Sequence, residues 1–355
     1  MSDNRKPGMT YKEAGVDIDA QERALSKIKR HLASTKTAGV LSELGSFGGL
    51  FRVPEGLEDP VLVSSVDGVG TKVLVAQRAG RHDTIGACLV NHCVNDILVM
   101  GARPLFFLDY LAVGKLDAEV AEQIVSGVAS ACRENGCALV GGETAEMPEI
   151  YGRGHYDLAG TVVGIVSRSA ILDADRVIEG DRLYGIASSG LHTNGYTLAR
   201  RILLERMELA DDEEIPGVGE TVTEALLRVH RSYLRLFDEP LLQGYIKALA
   251  HITGGGLTDN LPRVLPDSLD AVIDKGTWPV SPIFTVLARA GEVPEEDMLR
   301  TFNMGIGMVA VVGAADAPRF EAHLEAAGER YYRIGTIAPG SGAVRFEGAL
   351  EWGTP

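Results

Sequence analysis

The sequence lacks any uncharged apolar run of about 18 residues, and residues 1–11 are polar without an apolar stretch, which argues against a membrane-spanning helix and a secretory signal. Cysteine is scarce. Cys88, Cys93, Cys132 and Cys137 form two C-x4-C pairs and lack the C-x2-C spacing of zinc knuckles and dithiol redox sites. They read as ordinary buried thiols in a reducing, cytoplasmic compartment. Basic charge is also short, with 34 Lys and Arg against 49 Asp and Glu and a formal net charge of -15. No basic patch is left to neutralise a phosphate backbone, so nucleic acid is excluded as a partner. Neither G-x-x-x-x-G-K-[ST] nor H-E-x-x-H occurs. The match to G-x-G-x-x-A at Gly305 to Ala310 leads into an apolar strand instead of following one, as dinucleotide binding requires.

What is present is a globular composition, 45% hydrophobic and 23% charged, over 355 residues. That length favours two domains with a cleft between them. A polar stretch at 169–180 divides an α/β first domain (1–170) from an α+β second domain (171–345) and a tail (346–355). In the first domain, periodicity predicts a helix over 19–36, with Leu25, Ile28 and Leu32 on one face and Lys27, Lys29, Arg30 and Lys36 around it. Strands are expected at 61–66, 104–113, 138–140 and 156–166, and helices at 83–100 and from an Asp117 cap to Asn135-Gly136. The second domain reads as strands at 183–188, 246–252, 271–273, 308–312 and 332–337, with helices at 196–206 and 221–237.

Many of the 42 glycines fall at strand ends. An acidic protein that handles phosphates does so through Mg2+, backbone N–H groups and a few placed cations. Asp67-Gly68-Val69-Gly70-Thr71-Lys72 follows an apolar strand and offers a carboxylate to Mg2+ and donors to phosphate oxygens; the competing reading is a plain turn. On the helix over 83–100, His92, Asn95 and Asp96 share one face, and His or Asn in an otherwise apolar helix needs a partner. A solvated face is the alternative. Gly141-Gly142-Glu143-Thr144 repeats the pattern of a strand delivering a carboxylate at a glycine turn, so Asp67, Asp96 and Glu143 are candidate metal ligands. Ser188-Ser189-Gly190 and Gly254-Gly255-Gly256 each precede a helix and suit an anion, or serve packing alone. His192 and His251 sit beside these corners, as proton carriers or as structural histidines.

These motifs resemble, over about 340 residues, the aminoimidazole ribonucleotide synthetase (phosphoribosylformylglycinamidine cyclo-ligase) family of purine biosynthesis. The resemblance rests on Tyr11-Lys12-Glu13-Ala14-Gly15-Val16-Asp17-Ile18-Asp19, the Asp67 to Lys72 hexapeptide and Val94-Asn95-Asp96 continuing to Gly101, Ala102 and Pro104. It extends through Phe106-Phe107-Leu108-Asp109-Tyr110, Gly141 to Pro148, His192, Asn194-Gly195-Tyr196, His251 to Gly256 and Thr301-Phe302-Asn303. It implies an N-terminal domain whose strands close a β-barrel across a homodimer, with the C-terminal α+β domain packed against it. It further implies Mg-ATP at Lys29, Asp67, Gly68, Gly70, Thr71, Asp96 and Glu143, with Mg2+ on Asp67, Asp96 and Glu143. The ribonucleotide falls to Gly48, Gly49, Ser189, Gly190, Asn194, Gly254 and Gly255, and catalysis to Lys72, His192 and His251. Where the family commonly has Gly-Gly-Phe-Gly, this chain has Gly45-Ser46-Phe47-Gly48, which narrows the backbone range of that loop.

Related activities separate by simple features. A selenophosphate synthetase needs a reactive cysteine near the first glycine loop, whereas the first here is Cys88. A hydrogenase-maturation carbamoyl dehydratase uses a C-terminal cysteine, and these residues end Glu351-Trp352-Gly353-Thr354-Pro355. A non-catalytic nucleotide-sensing dimer would have little reason to keep Asp67, Asp96 and both glycine corners together.

Overall fold

The computed structural model describes residues 18–43 and 46–353, so Tyr11 to Asp17 of the N-terminal motif, Gly45 of the first glycine loop and Thr354-Pro355 lie outside the described residues. The chain runs α1 (Ile18–Ala33), β1 (Pro60–Gly68), α2 (Lys72–Ala79), α3 (Asp83–Leu98), β2 (Arg103–Val113), α4 (Ala118–Glu134), β3 (Ala138–Glu146) and β4 (Tyr156–Ser167). These strands make a four-stranded sheet ordered β1-β4-β2-β3, with β2 and β3 parallel and the other pairs antiparallel. Helices α3 and α4 cover one face. Ile85, Leu89, Cys93 and Ile97, four residues apart, are fully buried there, and burying a large aliphatic contributes about 1.5–3 kcal/mol. The two helices cross closely because Gly86 and Gly127 meet backbone of the opposite helix where a Cβ would overlap it. Asp117 caps α4 as expected, its Oδ1 accepting from Glu119 N and Val120 N.

After short 3-10 turns at Arg168–Ala170 and Ala174–Arg176, the chain forms β5 (Arg182–Ala187), α5 (Tyr196–Arg200), α6 (Val222–Leu227), α7 (Leu234–Leu242), β6 (Ile246–His251) and α8 (Gly256–Asn260). It continues as β7 (Leu269–Asp274), β8 (Pro279–Val280), α9 (Pro282–Gly291), α10 (Glu295–Thr301), β9 (Ile306–Val312), α11 (Ala317–Ala326), β10 (Tyr331–Pro339), β11 (Val344–Glu347) and β12 (Glu351–Trp352). The second sheet is six-stranded, ordered β11-β7-β10-β5-β9-β6. Its β9, apolar throughout, is buried at every position, as a central strand covered on both faces must be. Residues 346–353, expected as a tail, instead carry the end of β11 against β7 and all of β12 against β8.

Two further expectations fail for identifiable reasons. The helix over 221–237 is split into α6 and α7 by an extended segment at 228–233. Its backbone groups are taken by the first domain: Lys72 Nζ donates to Arg228 O at 2.6 Å, Asn91 Nδ2 to His230 O at 2.8 Å and Asn95 Nδ2 to Arg231 O at 2.9 Å, while Tyr233 N donates to Asn95 Oδ1. Tertiary hydrogen bonds replace the helical ladder. The glycine turn expected at Gly141-Gly142 is likewise absent, since β3 runs through both glycines to Glu146. Gly142 is required because a Cβ there would overlap the Asp109 carboxylate on the neighbouring strand.

Candidate functional site

Asp67 ends the exposed edge of β1, and Asp96 lies on α3 beneath it. Asp67 Oδ1 accepts from Gly68 N at 2.7 Å, and its Oδ2 is 2.8 Å from His92 Nε2. Asp96 Oδ1 is 2.8 Å from His251 Nδ1, its Oδ2 accepts from Ser65 Oγ at 2.9 Å, and that same Oδ2 lies 3.9 Å from His92 Nε2. The two carboxylates therefore converge on one imidazole. Their side chains remain 44% and 27% exposed, against 4% for His92 and 3% for His251. The acids stand at the surface where the domains meet and the imidazoles lie beneath them.

From His92 a chain of hydrogen bonds passes under the site. His92 Nδ1 is 2.6 Å from Thr193 Oγ1, which is 3.3 Å from His230 Nδ1, and His230 Nε2 is 3.1 Å from His251 Nε2. Burial opposes charge on His92, but the bond to Asp67 and the charges of Asp96 and Asp67 outweigh it and raise its pKa. Burial also pushes Asp67 and Asp96 up, and their histidine partners bring both below the usual carboxylate range. His251, by contrast, is lowered, burial outweighing Asp96, while burial and neighbouring cations hold His192 and His230 well below the usual value. One proton assignment satisfies this chain. A charged His92 donates to Asp67 and Thr193, the threonine hydroxyl donates to His230 Nδ1, His230 Nε2–H donates to His251 Nε2, and His251 Nδ1–H donates to Asp96. Asn95 Nδ2, 3.2 Å from His230 Nε2, makes its better bond to Arg231 O.

His192, His230 and His251 place ring nitrogens within 4.8 Å of one another. The geometry does not suit a shared metal. His192 stacks on His230 at 4.0 Å with 17° between planes, so their in-plane lone pairs run side by side instead of converging. Ser189 N donates to His192 Nε2 at 3.2 Å, which places the proton of the neutral ring on Nδ1, a buried atom without a partner. Asp67 and Asp96 do suit a hard cation such as Mg2+, because each carboxylate oxygen keeps a lone pair beyond its hydrogen bond and both groups reach the cleft.

Glu143 stands apart from that pair. Asp67, Gly160, Asp109 and Gly142 occupy one cross-strand row, so Asp67 and Gly142 are separated by three strand spacings, about 14 Å. Glu143, the next residue, points to the opposite face from Asp67 by strand alternation. Within one chain the three expected metal ligands do not meet. Glu143 instead borders a cavity of about 480 Å³ with Ser46, Gly48, Gly49, Asp109 and Tyr110, while α1, which carries the exposed Lys29, packs against α4 and β3. Lys72 also departs from expectation: it is fully buried, its ammonium donating to His192 O and Arg228 O, so it does not face the cleft.

The remaining site residues gather where the domains meet. Thr71 Oγ1 is 3.0 Å from Thr197 Oγ1, and Gly70 faces Thr193 O. Asn194 lies beside Gly254, joining the two glycine corners of the second domain. Their N–H groups are largely engaged, however: Gly255 N donates to Arg300 O and Gly256 N to Thr253 O, while Gly190 O accepts from Asn303 Nδ2 at 2.8 Å. The sequence reading missed His230 and Thr193. A signal for His230 existed, since it continues the stripe Leu226, Tyr233, Phe237 at three- and four-residue spacing, and a histidine on an apolar stripe needs a partner.

Family models described as AIR synthase related protein, N-terminal domain and C-terminal domain, match residues 48–166 and 179–346. A phosphoribosylformylglycinamidine cyclo-ligase of Trichlorobacter lovleyi is 52% identical over 333 residues, covering 94% of this chain and 95% of that protein. The protein of the same name from Sorangium cellulosum is 50% identical over 347 residues, covering 97% and 99%. Among solved structures, thiamine-monophosphate kinase from Stenotrophomonas maltophilia aligns with a TM-score of 0.67 at 23% identity, over 92% of this chain and 96% of that one. Hydrogenase maturation protein HypE in complex with ATP aligns at 0.64 and 20%, over 94% and 92%. These two likenesses concern the fold.

Proposed function

The chain belongs to the AIR synthase related family, and on that premise we propose that it is an ATP-dependent cyclo-ligase converting phosphoribosylformylglycinamidine to aminoimidazole ribonucleotide, with release of ADP and phosphate. The observation that carries this reading is identity of 50% or more across almost the whole length of cyclo-ligases from two organisms. The convergent Asp67 and Asp96 at an interdomain cleft suit the same chemistry.

An amide carbon is a poor electrophile and its oxygen a poor leaving group. Transfer of the γ-phosphoryl group to the formyl oxygen corrects both: an amidine nitrogen bonds to the activated carbon, the C–O bond breaks, phosphate leaves and the nitrogen gives up a proton. Asp67 and Asp96 would hold Mg2+, which supplies charge neutralisation at the phosphoryl oxygens. Asp67 is fixed by His92 and Gly68 N, and Asp96 by His251 and Ser65, so both are oriented before substrate arrives. The proton released on ring closure leaves with phosphate or water, because burial disfavours charge on His192 and His251 and their acceptor nitrogens are already engaged by Ser189 N and His230 Nε2. The corners at Ser189, Gly190, Asn194, Gly254 and Gly255 form the second domain's wall, toward the ribonucleotide.

The sheet face away from α3 and α4 exposes Leu62, Val66, Leu108 and Tyr110. An apolar sheet face of this kind supports a homodimer in which a second copy covers it and the two sheets close a barrel. Glu143 and the cavity beside Gly48 and Gly49 then lie at the interface, where Glu143 and Lys29 serve the nucleotide. The deciding experiment is purified protein with the formylglycinamidine ribonucleotide and Mg-ATP, scored for ADP and aminoimidazole product. Folded protein that forms neither overturns the reading.

A further inference from the structure

Lys72 closes the hexapeptide that a sequence reading assigns to phosphate, yet none of its surface is exposed. Its ammonium donates to His192 O at 3.0 Å and Arg228 O at 2.6 Å and lies 5.2 Å from the centre of the Tyr196 ring. Among the described residues no carboxylate lies within ion-pair distance of it. A buried cation without an anion is costly, and carbonyl dipoles and an aromatic face are what offset the lost hydration. Both carbonyls belong to the second domain, and each opens a stretch that matters to the floor of the site. His192 sits at φ 63, a left-handed backbone that a non-glycine residue holds only when its surroundings fix it. Its ring fits because Gly307 has no Cβ to overlap it. Arg228 begins the extended segment that carries His230, itself bonded toward His251 and Thr193.

We infer that Lys72 is a positioning residue of the reaction: its ammonium pins the His192 turn and the 228–233 segment to the first domain, setting the imidazole floor beneath Asp67 and Asp96, and it does not touch the nucleotide. The inference rests on the cyclo-ligase reading for the reaction being positioned, while its geometry stands without it. Arginine cannot replace this lysine, because a planar guanidinium is too large for a sealed pocket built around two carbonyls and presents its donors in a different fan.

The test uses the full-length enzyme and the variants Lys72→Met and Lys72→Arg, with ATP affinity measured by calorimetry, kcat in the coupled assay and the His192 ring followed by imidazole 15N resonances. The expected result is a fall in kcat of about 100-fold in both variants, an ATP Kd within about threefold of wild type, and a displaced His192 resonance. Loss of ATP affinity of tenfold or more in Lys72→Met, restored in Lys72→Arg, would make Lys72 a phosphate ligand and overturn the inference. Wild-type enzyme treated with a lysine-reactive acyl phosphate of ATP keeps the question open to refutation if neither variant folds: acylation of Lys72 overturns the inference, and labelling confined to other lysines supports it. Wild-type protein that binds ATP but makes no aminoimidazole product sinks the cyclo-ligase reading and leaves the binding and labelling results to decide the place of Lys72.

Discussion

Asp67 and Asp109 stand on the same cross-strand row, one strand apart from each other across Gly160, and face the same side of the sheet, yet their surroundings drive them in opposite directions. Asp67 has an imidazole at 2.8 Å and is held below the usual carboxylate range, despite partial burial. Among the described residues no cation pairs with Asp109, and burial pushes it up to about 7. The first belongs to a region where nearly every polar atom is engaged and two acids are presented to the cleft. The second is enclosed on the helix-covered face of the sheet, near Cys132 of α4. A strand can thus deliver two chemically similar groups to two different jobs. What separates them is the helix above: α3 places His92 over one acid, and α4 brings the Cys132 thiol near the other.

The largest expected effect breaks the engaged region. Asp96→Asn keeps one acceptor oxygen but removes the charge that orients His251 and would hold Mg2+, so turnover should fall about a thousandfold while the fold persists. Steady-state kinetics beside a melting curve check this; near-normal turnover removes Asp96 from the metal. Glu143→Gln probes the other region. Because Glu143 lies on the opposite sheet face, we expect less than about a tenfold loss in kcat and an unchanged Mg2+ dependence. If Glu143→Gln reproduces the loss seen for Asp96→Asn, Glu143 shares the metal with Asp96 across two copies of the chain instead of contacting the nucleotide alone.

The elements of the first domain were legible because their signals are local. The four-residue apolar spacing of α3, the Asp117 cap and the apolar run of β2 each determine an element whatever surrounds it. The partners of His92, Asn95 and Asp96 were legible only as a demand, since desolvated polar groups on an apolar helix need something to bond. Asp67 and Ser65 supply two of the partners from the neighbouring strand, but the others lay more than a hundred residues away, in Thr193, His251 and the backbone of Arg231 and Tyr233. The break at 228–233 was hidden for the same reason: α3 and Lys72, not the segment itself, supply its hydrogen bonds. Glu143 was misplaced because sequence shows that a strand delivers an acid but not the strand order, and β1 and β3 occupy opposite edges.

A smaller effect sharpens the packing side of the contrast. Gly142→Ala places a methyl group against the Asp109 carboxylate and backbone, where no flexible end can give way. It should cost about 2 kcal/mol, lowering Tm by roughly 4–8 °C for a domain of this size. The equivalent change at Gly48, which faces open space, should leave Tm within about 1 °C. Equal effects at both positions would mean that β3 and its glycine loop relax as a unit, and that the cavity is softer than its strand pairing implies.

A last test addresses the opposed titration of the two aspartates. In the unfolded chain Asp109 gives up its proton near pH 3.9, whereas in the native protein it keeps it up to about 7. Between those values the native state binds more protons than the unfolded state, so this group's contribution is fully present below the lower pKa and is lost as pH rises through the upper one. Asp67 has the reverse sign, its contribution present at neutral pH and lost in acid, because its folded pKa is depressed. Denaturant midpoints for wild type and Asp109→Asn between pH 5 and 8 isolate the first term. Wild type should lose stability relative to the variant as pH rises across that window, with the difference levelling off above about 7. Parallel curves would mean that Asp109 is already ionised at pH 5, that water or a cation reaches it beneath the helices, and that the two acids of the row differ in partner but not in solvation.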